Sequence, residues 1–572
     1  MMEMKKIIVL MVTLTALLLQ ACGSSSASAV NEVTTDYTPI IGYDFKSTTE
    51  TSVEVTSQQS GTVIKFTTDG TTPTFTTTNA TSSFTVTSET TVKAIAYDSS
   101  GNALSDIVSV KVPIGKMPVT IMYYGDADNN LEKYLLDDVA EMKVGYSKVG
   151  YSLITLFDRV SANELSGTDK YEDSTDSSVF GEDFTGTHLY KIGKNTTTRL
   201  EDSTYLGISS SGDLNELNMG DANTLKKFIQ YCKANYPADK YVLIISNHGG
   251  GTRSIKSTNS SISKDICEDV TSGGDIMYTG EISDVLTSNE SVNVMVLDAC
   301  LMGSVEFAYQ FRNDSSNTGF KSDYMVASPA LVRGEGLPYT TMLERIRGIS
   351  GNNGTTNTLG GGSEAYMVPS SMDMAEFAKM IVEEQYDSAS TSSSETFSAY
   401  DLSNMTALKT AIDNFAKMVN QTTLEGIRGT SSAVAMNYMS GYGWSNYPFF
   451  DIYDLMRKYN TKASNAVLSA LDAVILSSFG GSSYYNVNDS TIFVNNKNGM
   501  HIVFPKSGYA SYFGWYSPVS VVSSNSYGKL SFCSGGVNTE GNSTVDTWFE
   551  MIDKWYDNTS VNSGEGYNYY KY

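Results

Sequence analysis

Two apolar runs in this chain each end on a side chain that can take part in nucleophilic chemistry. Residues 241–246 (YVLIIS) lead into Asn247 and His248 and then three glycines, Gly249 to Gly251. Residues 294–297 (VMVL) lead into Asp298, Ala299 and Cys300. A thiol attacks an amide when a base takes its proton and fixed donors meet the charge that develops on the carbonyl oxygen. His248 is the candidate base and Cys300 the candidate nucleophile. The backbone N–H groups of Gly249 and Cys300 are the candidate oxyanion donors, since glycine lets backbone approach a substrate closely. Residues 304–311 have helical character, so the Cys300 sulfur is expected near a helix N-terminus, which favours the thiolate. Of the other two histidines, His501 lies inside an apolar strand and reads as structural. His188 stands in a strand-like segment with no nearby partner in sequence.

Such groups need a scaffold that brings distant strand ends together. Strand-length apolar runs at 119–124, 152–157, 241–246, 292–297 and 324–327 alternate with segments of helical period at 131–142, 224–234 and 305–311. Continuously apolar strands separated by helices imply an α/β fold with a mainly parallel sheet covered on both faces. Functional groups in such sheets collect beyond the carboxyl ends of the strands, where His248 and Cys300 stand. Before residue 115 the pattern differs: short Thr/Val/Ile-rich runs broken by Gly, Asp, Asn and Pro predict a small all-β sandwich over 37–114.

Composition narrows the function further. With 63 acidic against 39 basic residues the net charge is −24, which repels phosphate backbones and argues against nucleic acid as a partner. Lys5 and Lys6 precede an apolar run at 7–19, matching a secretory signal in charge and length rather than a membrane span. That run ends in Leu19-Gln20-Ala21-Cys22-Gly23, which resembles the bacterial lipobox and makes Cys22 the expected lipidation site after removal of 1–21. A flexible linker over 22–36 would then space the body from the membrane. The expected location is the bacterial cell surface or periplasm. Cys232, Cys267, Cys300 and Cys533 are widely spaced and contain no CxxC pair, arguing against a zinc site and a dense disulfide framework. Cys232 falls in a helical segment and reads as buried packing; Cys267 and Cys533 are open to a free or a paired state.

The two strand-end blocks, Asn247-His248-Gly249 and Asp298-Ala299-Cys300, resemble the catalytic blocks of the clostripain family of peptidases, relatives of caspases and legumains. The histidine precedes the cysteine by 52 residues, close to the caspase spacing of about 50. Further blocks agree in order: 123–131 (YYGDADNNL), 218–221 (NMGD), 236–241 (YPADKY), 334–339 (GEGLPY) and 499–505 (GMHIVFP). The sequence departs from the family at Ser328-Pro329-Ala330, where a glutamine or glutamate is expected after the serine. Residues 64–74 and the strand near 92–96 resemble the small Ig-like module of chitobiase-type enzymes, whose usual roles are spacing or weak glycan contact.

The resemblance implies a caspase-like core over 115–345, completed by an α/β region over 346–572. It also implies polypeptide substrates cut after Arg or Lys, with Asp298 in the pocket that receives the basic side chain. No cofactor is implied for the chemistry, but calcium is implied as an activator, with its ligands undetermined. Self-cleavage is implied between the two blocks, at Arg253, Lys256 or Lys264. The cluster Asp126, Asp128, Asn129 and Asn130 has the composition of a calcium loop but lacks the EF-hand glycine and terminal glutamate. It therefore reads as a strand-to-helix turn with a capping carboxylate. Two rival functions are a surface-anchored lipoprotein that binds glycans or proteins without catalysis, and a caspase-like peptidase with another specificity, such as asparagine.

Overall fold

A computed structural model describes residues 36–556 except 80, 161–176, 210–214, 253–265, 358, 390–394, 430–433, 440–447, 482–484, 487–490, 506–526 and 536–543. The leader, Cys22, Arg253, Lys256, Lys264 and the tyrosine-rich stretch 557–572 lie outside the described residues.

The amino-terminal module is built from six short strands: β1 (Ile40–Ser47), β2 (Glu50–Thr56), β3 (Val63–Thr67), β4 (Ser83–Val86), β5 (Thr90–Tyr97) and β6 (Val108–Val112). They form two antiparallel three-stranded sheets, β1-β2-β4 and β3-β5-β6. In β2, Thr51, Val53 and Val55 are buried while their neighbours are half-buried or exposed, the two-residue period of a strand with one face inward. The module touches the next domain where the Gly150 N–H donates to the Tyr43 carbonyl at 3.0 Å and Lys191 pairs with Asp44 at 2.8 Å.

The strands that follow include β7 (Met117–Ala127), β8 (Tyr151–Arg159), β9 (Gly186–Gly193), β10 (Thr196–Leu200), β11 (Ala238–Ser246), β12 (Ile266–Asp269), β13 (Asp275–Met277), β14 (Val292–Asp298), β15 (Ser322–Ala327), β16 (Asn352–Thr356), β17 (Ser363–Ala365), β18 (Thr396–Asp401), β19 (Phe449–Asp451) and β20 (Ile475–Gly480). Nine of them make one sheet in the order β10-β9-β8-β7-β11-β14-β15-β18-β20. The five central strands, β8, β7, β11, β14 and β15, run parallel, and two antiparallel strands extend each edge. Strand β18 pairs onto β15 and β20 onto β18, both from beyond residue 345, so the carboxyl-terminal region shares this sheet.

Seven helices matter for the core and site: α1 (Glu132–Gly145), α2 (Ala222–Asn235), α3 (Thr279–Val285), α4 (Val305–Gln310), α5 (Tyr339–Glu344), α6 (Met374–Ala389) and α7 (Met405–Ala416). Alternate residues of the central strands feed two separate cores. Val119, Ile121, Val242, Ile244, Val294 and Val296 pack with Leu135, Val139 and Met142 of α1 and Phe377 and Ile381 of α6. Met122, Tyr124, Leu243, Ile245, Met295 and Leu297 pack with Phe228 and Ile229 of α2, Phe307 of α4 and Leu408 and Ile412 of α7. Burial on both faces explains why these strands read as unbroken apolar runs. Among the described residues no helix is long and apolar enough to cross a membrane.

Candidate active site

The pairing of β11 with β14 decides the geometry. They are parallel neighbours in a register that sets Ser246 opposite Asp298, and the Asn247 N–H donates to the Asp298 carbonyl at 3.3 Å. His248 and Cys300 each follow the last paired position by two residues, so both emerge at the same rim of the sheet. They line one cavity of about 230 Å³ together with Leu131, Asp138, Asp298 and Val332. Gly249 lies so close to Cys300 that an added Cβ would overlap its carbonyl oxygen and stand 2.7 Å from its amide nitrogen. A side chain there would force the two strand ends apart.

Each reactive group has a holder. His248 Nε2 lies 2.5 Å from Asn130 Oδ1, within hydrogen-bond distance. The amide of Asn130 orients the ring without adding charge. The Cys300 sulfur is held by both polar groups of Val332: it accepts from the Val332 N–H at 3.2 Å and lies 3.6 Å from the Val332 carbonyl, to which the thiol donates. The helix that follows, α4, begins only at Val305, after a turn in which Leu301 adopts a left-handed φ of 65°. A left-handed leucine costs roughly 1–2 kcal/mol, and the turn is held by the Leu301 N–H on the Ala330 carbonyl at 2.8 Å.

Asp298 is buried at the cavity wall. The Leu337 N–H and the Tyr339 hydroxyl donate to its Oδ2 at 3.1 and 2.9 Å. Its Oδ1 takes no hydrogen bond from the described residues. It does not cap α4; Ser304 does, accepting from the Phe307 N–H at 3.0 Å. Burial raises the Asp298 carboxyl to about 6, against the pull of its two donors. A second carboxylate on the same cavity, Asp138, accepts from the Tyr123 hydroxyl at 3.1 Å. Burial, then the nearby Asp298 charge, pushes it well above the usual range. Arg333 also lines the cavity and pairs with the buried Glu395. The departure at Ser328-Pro329-Ala330 is a buried turn closed by the Ser328 hydroxyl on Ala330, and it does not line the cavity.

The other sequence expectations sort as follows. His501 is fully buried in a short strand paired with β19, its Nδ1 3.1 Å from the Pro329 carbonyl, and burial lowers it to about 3. His188 is not without partners: Nδ1 lies 3.0 Å from the Tyr190 hydroxyl and Nε2 2.9 Å from Arg199. Those partners come from its own strand and from the adjacent antiparallel β10, which sequence spacing does not show. Cys232, Cys267 and Cys533 are buried free thiols, so the open question of pairing resolves to none among them.

The turn after β7 differs from expectation. No side chain caps α1; the Leu131 N–H, next to the helix, donates to Asn129 Oδ1 at 2.9 Å. The carboxylates of Asp126 and Asp128 face inward instead. One oxygen each from Asp128, Asp158, Glu216 and Asp269 lies within 4.8 Å of all the others. Burial drives the Asp126 and Asp158 carboxyls well above their usual range and Asp128 up to about 8. The sequence placed Asp128 and Asn130 in one acidic turn but did not show that Asp128 meets Asp158, Glu216 and Asp269, that Asn130 meets His248, or that Val332 meets Cys300, because these partners come from separate stretches of chain.

Residues 123–555 match the family model described as Clostripain family, and 53–112 match one described as Fn3 associated. Clostripain of Hathewaya histolytica is 38% identical over 518 residues, covering 83% of this chain and 94% of that protein. An inactive zymogen C11 protease from Parabacteroides distasonis is similar in structure, at 18% identity and a TM-score of 0.46, over 69% of this chain and 94% of its own. A secreted C11 cysteine protease from Bacteroides thetaiotaomicron, solved with an irreversible peptide inhibitor, is similar at 18% identity and a TM-score of 0.44, over 70% of this chain and 98% of its own.

Proposed function

Because the chain belongs to the clostripain family of cysteine peptidases, we propose that it is a lipid-anchored endopeptidase cutting after Arg or Lys, with Cys300 as nucleophile and His248 as its base. The observation that carries this reading is the convergence of His248, Cys300 and the buried Asp298 on one cavity. His248 takes the Cys300 proton on Nδ1 while Asn130 holds the opposite nitrogen. The thiolate attacks the scissile carbonyl carbon, and the Gly249 and Cys300 N–H groups hold the oxyanion. As the intermediate collapses, the C–N bond breaks and the imidazolium protonates the departing amine. Water, activated by the same imidazole, then hydrolyses the thioester and frees the thiol.

Asp298 complements a basic side chain, and Asp138 adds a second carboxyl to the same walls. Self-cleavage at Arg253, Lys256 or Lys264 belongs to this reading, since all three lie between the two catalytic blocks. So do anchoring through Cys22 and weak glycan contact by the amino-terminal module. Calcium activation enters through the family, and a hard divalent cation fits the all-oxygen carboxylate cluster beside β7.

The test is direct. Arginyl and lysyl reporter peptides are expected to be cleaved by the parent chain, and the Cys300→Ala chain is expected to lose about 10⁴-fold or more of kcat. Full activity in that variant would remove the assignment.

A further inference from the structure

The catalytic cavity carries a permanent cation on a wall whose other fixed charges are carboxylates. Arg333 stands in the segment 331–336, of which Leu331, Val332, Arg333, Gly334 and Gly336 line the cavity. This segment runs from the nucleophile to the buried acid. Val332 holds the Cys300 sulfur through its N–H at 3.2 Å, and at Gly336 an added Cβ would stand 2.7 Å from Asp298 Oδ2. A turn closed by the Gly336 N–H on the Arg333 carbonyl at 3.1 Å joins the two ends. Gly334 packs on the Tyr134 ring of α1, where an added Cβ would lie 2.8 Å from the ring atoms. A substrate with its scissile carbonyl at Cys300 and its basic side chain at Asp298 therefore lies along this segment, with Arg333 beside it.

The Arg333 guanidinium is anchored but not used up. Its Nε–H donates to Oε1 of Glu395. The Gln385 amide of α6 donates to Glu395 Oε2 at 2.7 Å, so both oxygens of that carboxylate are engaged. A guanidinium has five N–H donors in a rigid fork, and the bond to Glu395 takes one of them. Among the described residues Nη1 and Nη2 have no hydrogen-bond or ion-pair partner; the exposed Glu335, two residues along, forms no ion pair with them. The Arg333 side chain is 45% exposed and that of Glu395 only 3%, so the anchored end lies in the protein and the free end at the mouth of the cavity. A buried, doubly held partner fixes the fork in place, which a pair of mobile surface chains does not do. A cation on the wall of a pocket that receives a basic side chain repels that side chain. A carboxylate carried by the same substrate offsets the repulsion.

We propose that Arg333 is a specificity-determining residue that selects substrates carrying an aspartate or glutamate within two residues of the basic residue that is cut. This rests on the peptidase reading and names its substrate class more closely. The test uses arginyl reporter peptides in pairs, with glutamate or glutamine at each of the two positions before and the two after the arginine, one position at a time. The glutamate member is expected to exceed the glutamine member about 5-fold in kcat/KM at one or more of these positions. That ratio should shrink between about 50 and about 500 mM salt, because the guanidinium is half-exposed. Arg333→Lys should keep part of the preference, Arg333→Gln should bring the ratio to about 1, and Arg333→Glu should reverse it. Arg333→Gln also strips the buried Glu395 of its counter-charge and can displace the segment. The double variant Arg333→Gln/Glu395→Gln leaves no unpaired buried charge there, and it too should give a ratio of about 1. If the pair only braces the wall, each variant lowers kcat/KM equally for both members and leaves the ratio as in the parent enzyme. That result, or a parental ratio of about 1 at all four positions, overturns the proposal. The same pairs titrated into the Cys300→Ala chain give the affinity ratio without cleavage. Absence of any cleavage by the parent chain thus counts against the peptidase reading, whereas equal handling of glutamate and glutamine counts against Arg333 alone.

Discussion

At the scale of single residues, the specificity proposal rests on the charge state of Asp298. Burial raises this carboxyl from its ordinary value to about 6, so the folded protein binds the proton more tightly than the unfolded chain does. Its ionisation therefore costs stability as the pH rises from about 3.9 through 6, the opposite sign to a salt-bridged aspartate. Under the proposed specificity, a basic substrate side chain would supply the missing counter-charge. The ratio of kcat/KM for an arginyl reporter to that for one with a neutral residue at the cleavage site is thus expected to fall as the pH drops below about 6. The neutral reporter is needed because any other pH dependence of the enzyme enters both assays and cancels in the ratio. In Asp298→Asn the ratio should be low and flat across this range, and a ratio that holds steady to about pH 5 in the parent enzyme would remove Asp298 from substrate recognition.

At the scale of elements, the site depends on two strand ends lying closer than side chains ordinarily permit. The β11–β14 register aligns Ser246 with Asp298, and beyond it Gly249 packs directly on the Cys300 backbone. A methyl group at this position cannot be absorbed by a side-chain rotation, because what it meets is backbone. Gly249→Ala is therefore expected to cost about 1–3 kcal/mol of stability. It should also lower kcat by about 100-fold or more through displacement of the proposed oxyanion donors, a loss of the size seen when one such donor is removed. Thermal unfolding and peptide kinetics on the same preparation check both, and a variant with parental Tm and kcat would show that the strand ends have slack.

At the scale of the whole molecule, the fold separates one half-buried thiol from three buried ones among the described residues. Cys300 is half-buried at the cavity, while Cys232, Cys267 and Cys533 are buried, and burial pushes each of those three well above the usual thiol range. Iodoacetamide at neutral pH is expected to modify Cys300 in the native protein and the other three about 100-fold or more slowly, with all four equal after unfolding. Peptide mapping by mass spectrometry reads this out. Rapid native labelling of Cys267 would instead show that the β12 hairpin opens. The whole-molecule view also gives part of the strongly acidic composition a location: several of those carboxylates are inside the protein, at the carboxylate cluster and the cavity walls, rather than on its surface.

What could be read from residues alone was whatever depends on neighbours along the chain. Apolar runs marked the buried strands because a strand covered on both faces needs apolar side chains at every position, and His248 and Cys300 were visible because each directly follows such a run. Tertiary structure alone decided what those groups face. Asn130 reaches His248 across 118 positions and Val332 reaches Cys300 across 32. Asp128, Asp158, Glu216 and Asp269 meet only because strand register and loop closure carry four distant segments to one point. Local periodicity reports which face of an element is buried; it carries no information about which other element will cover that face.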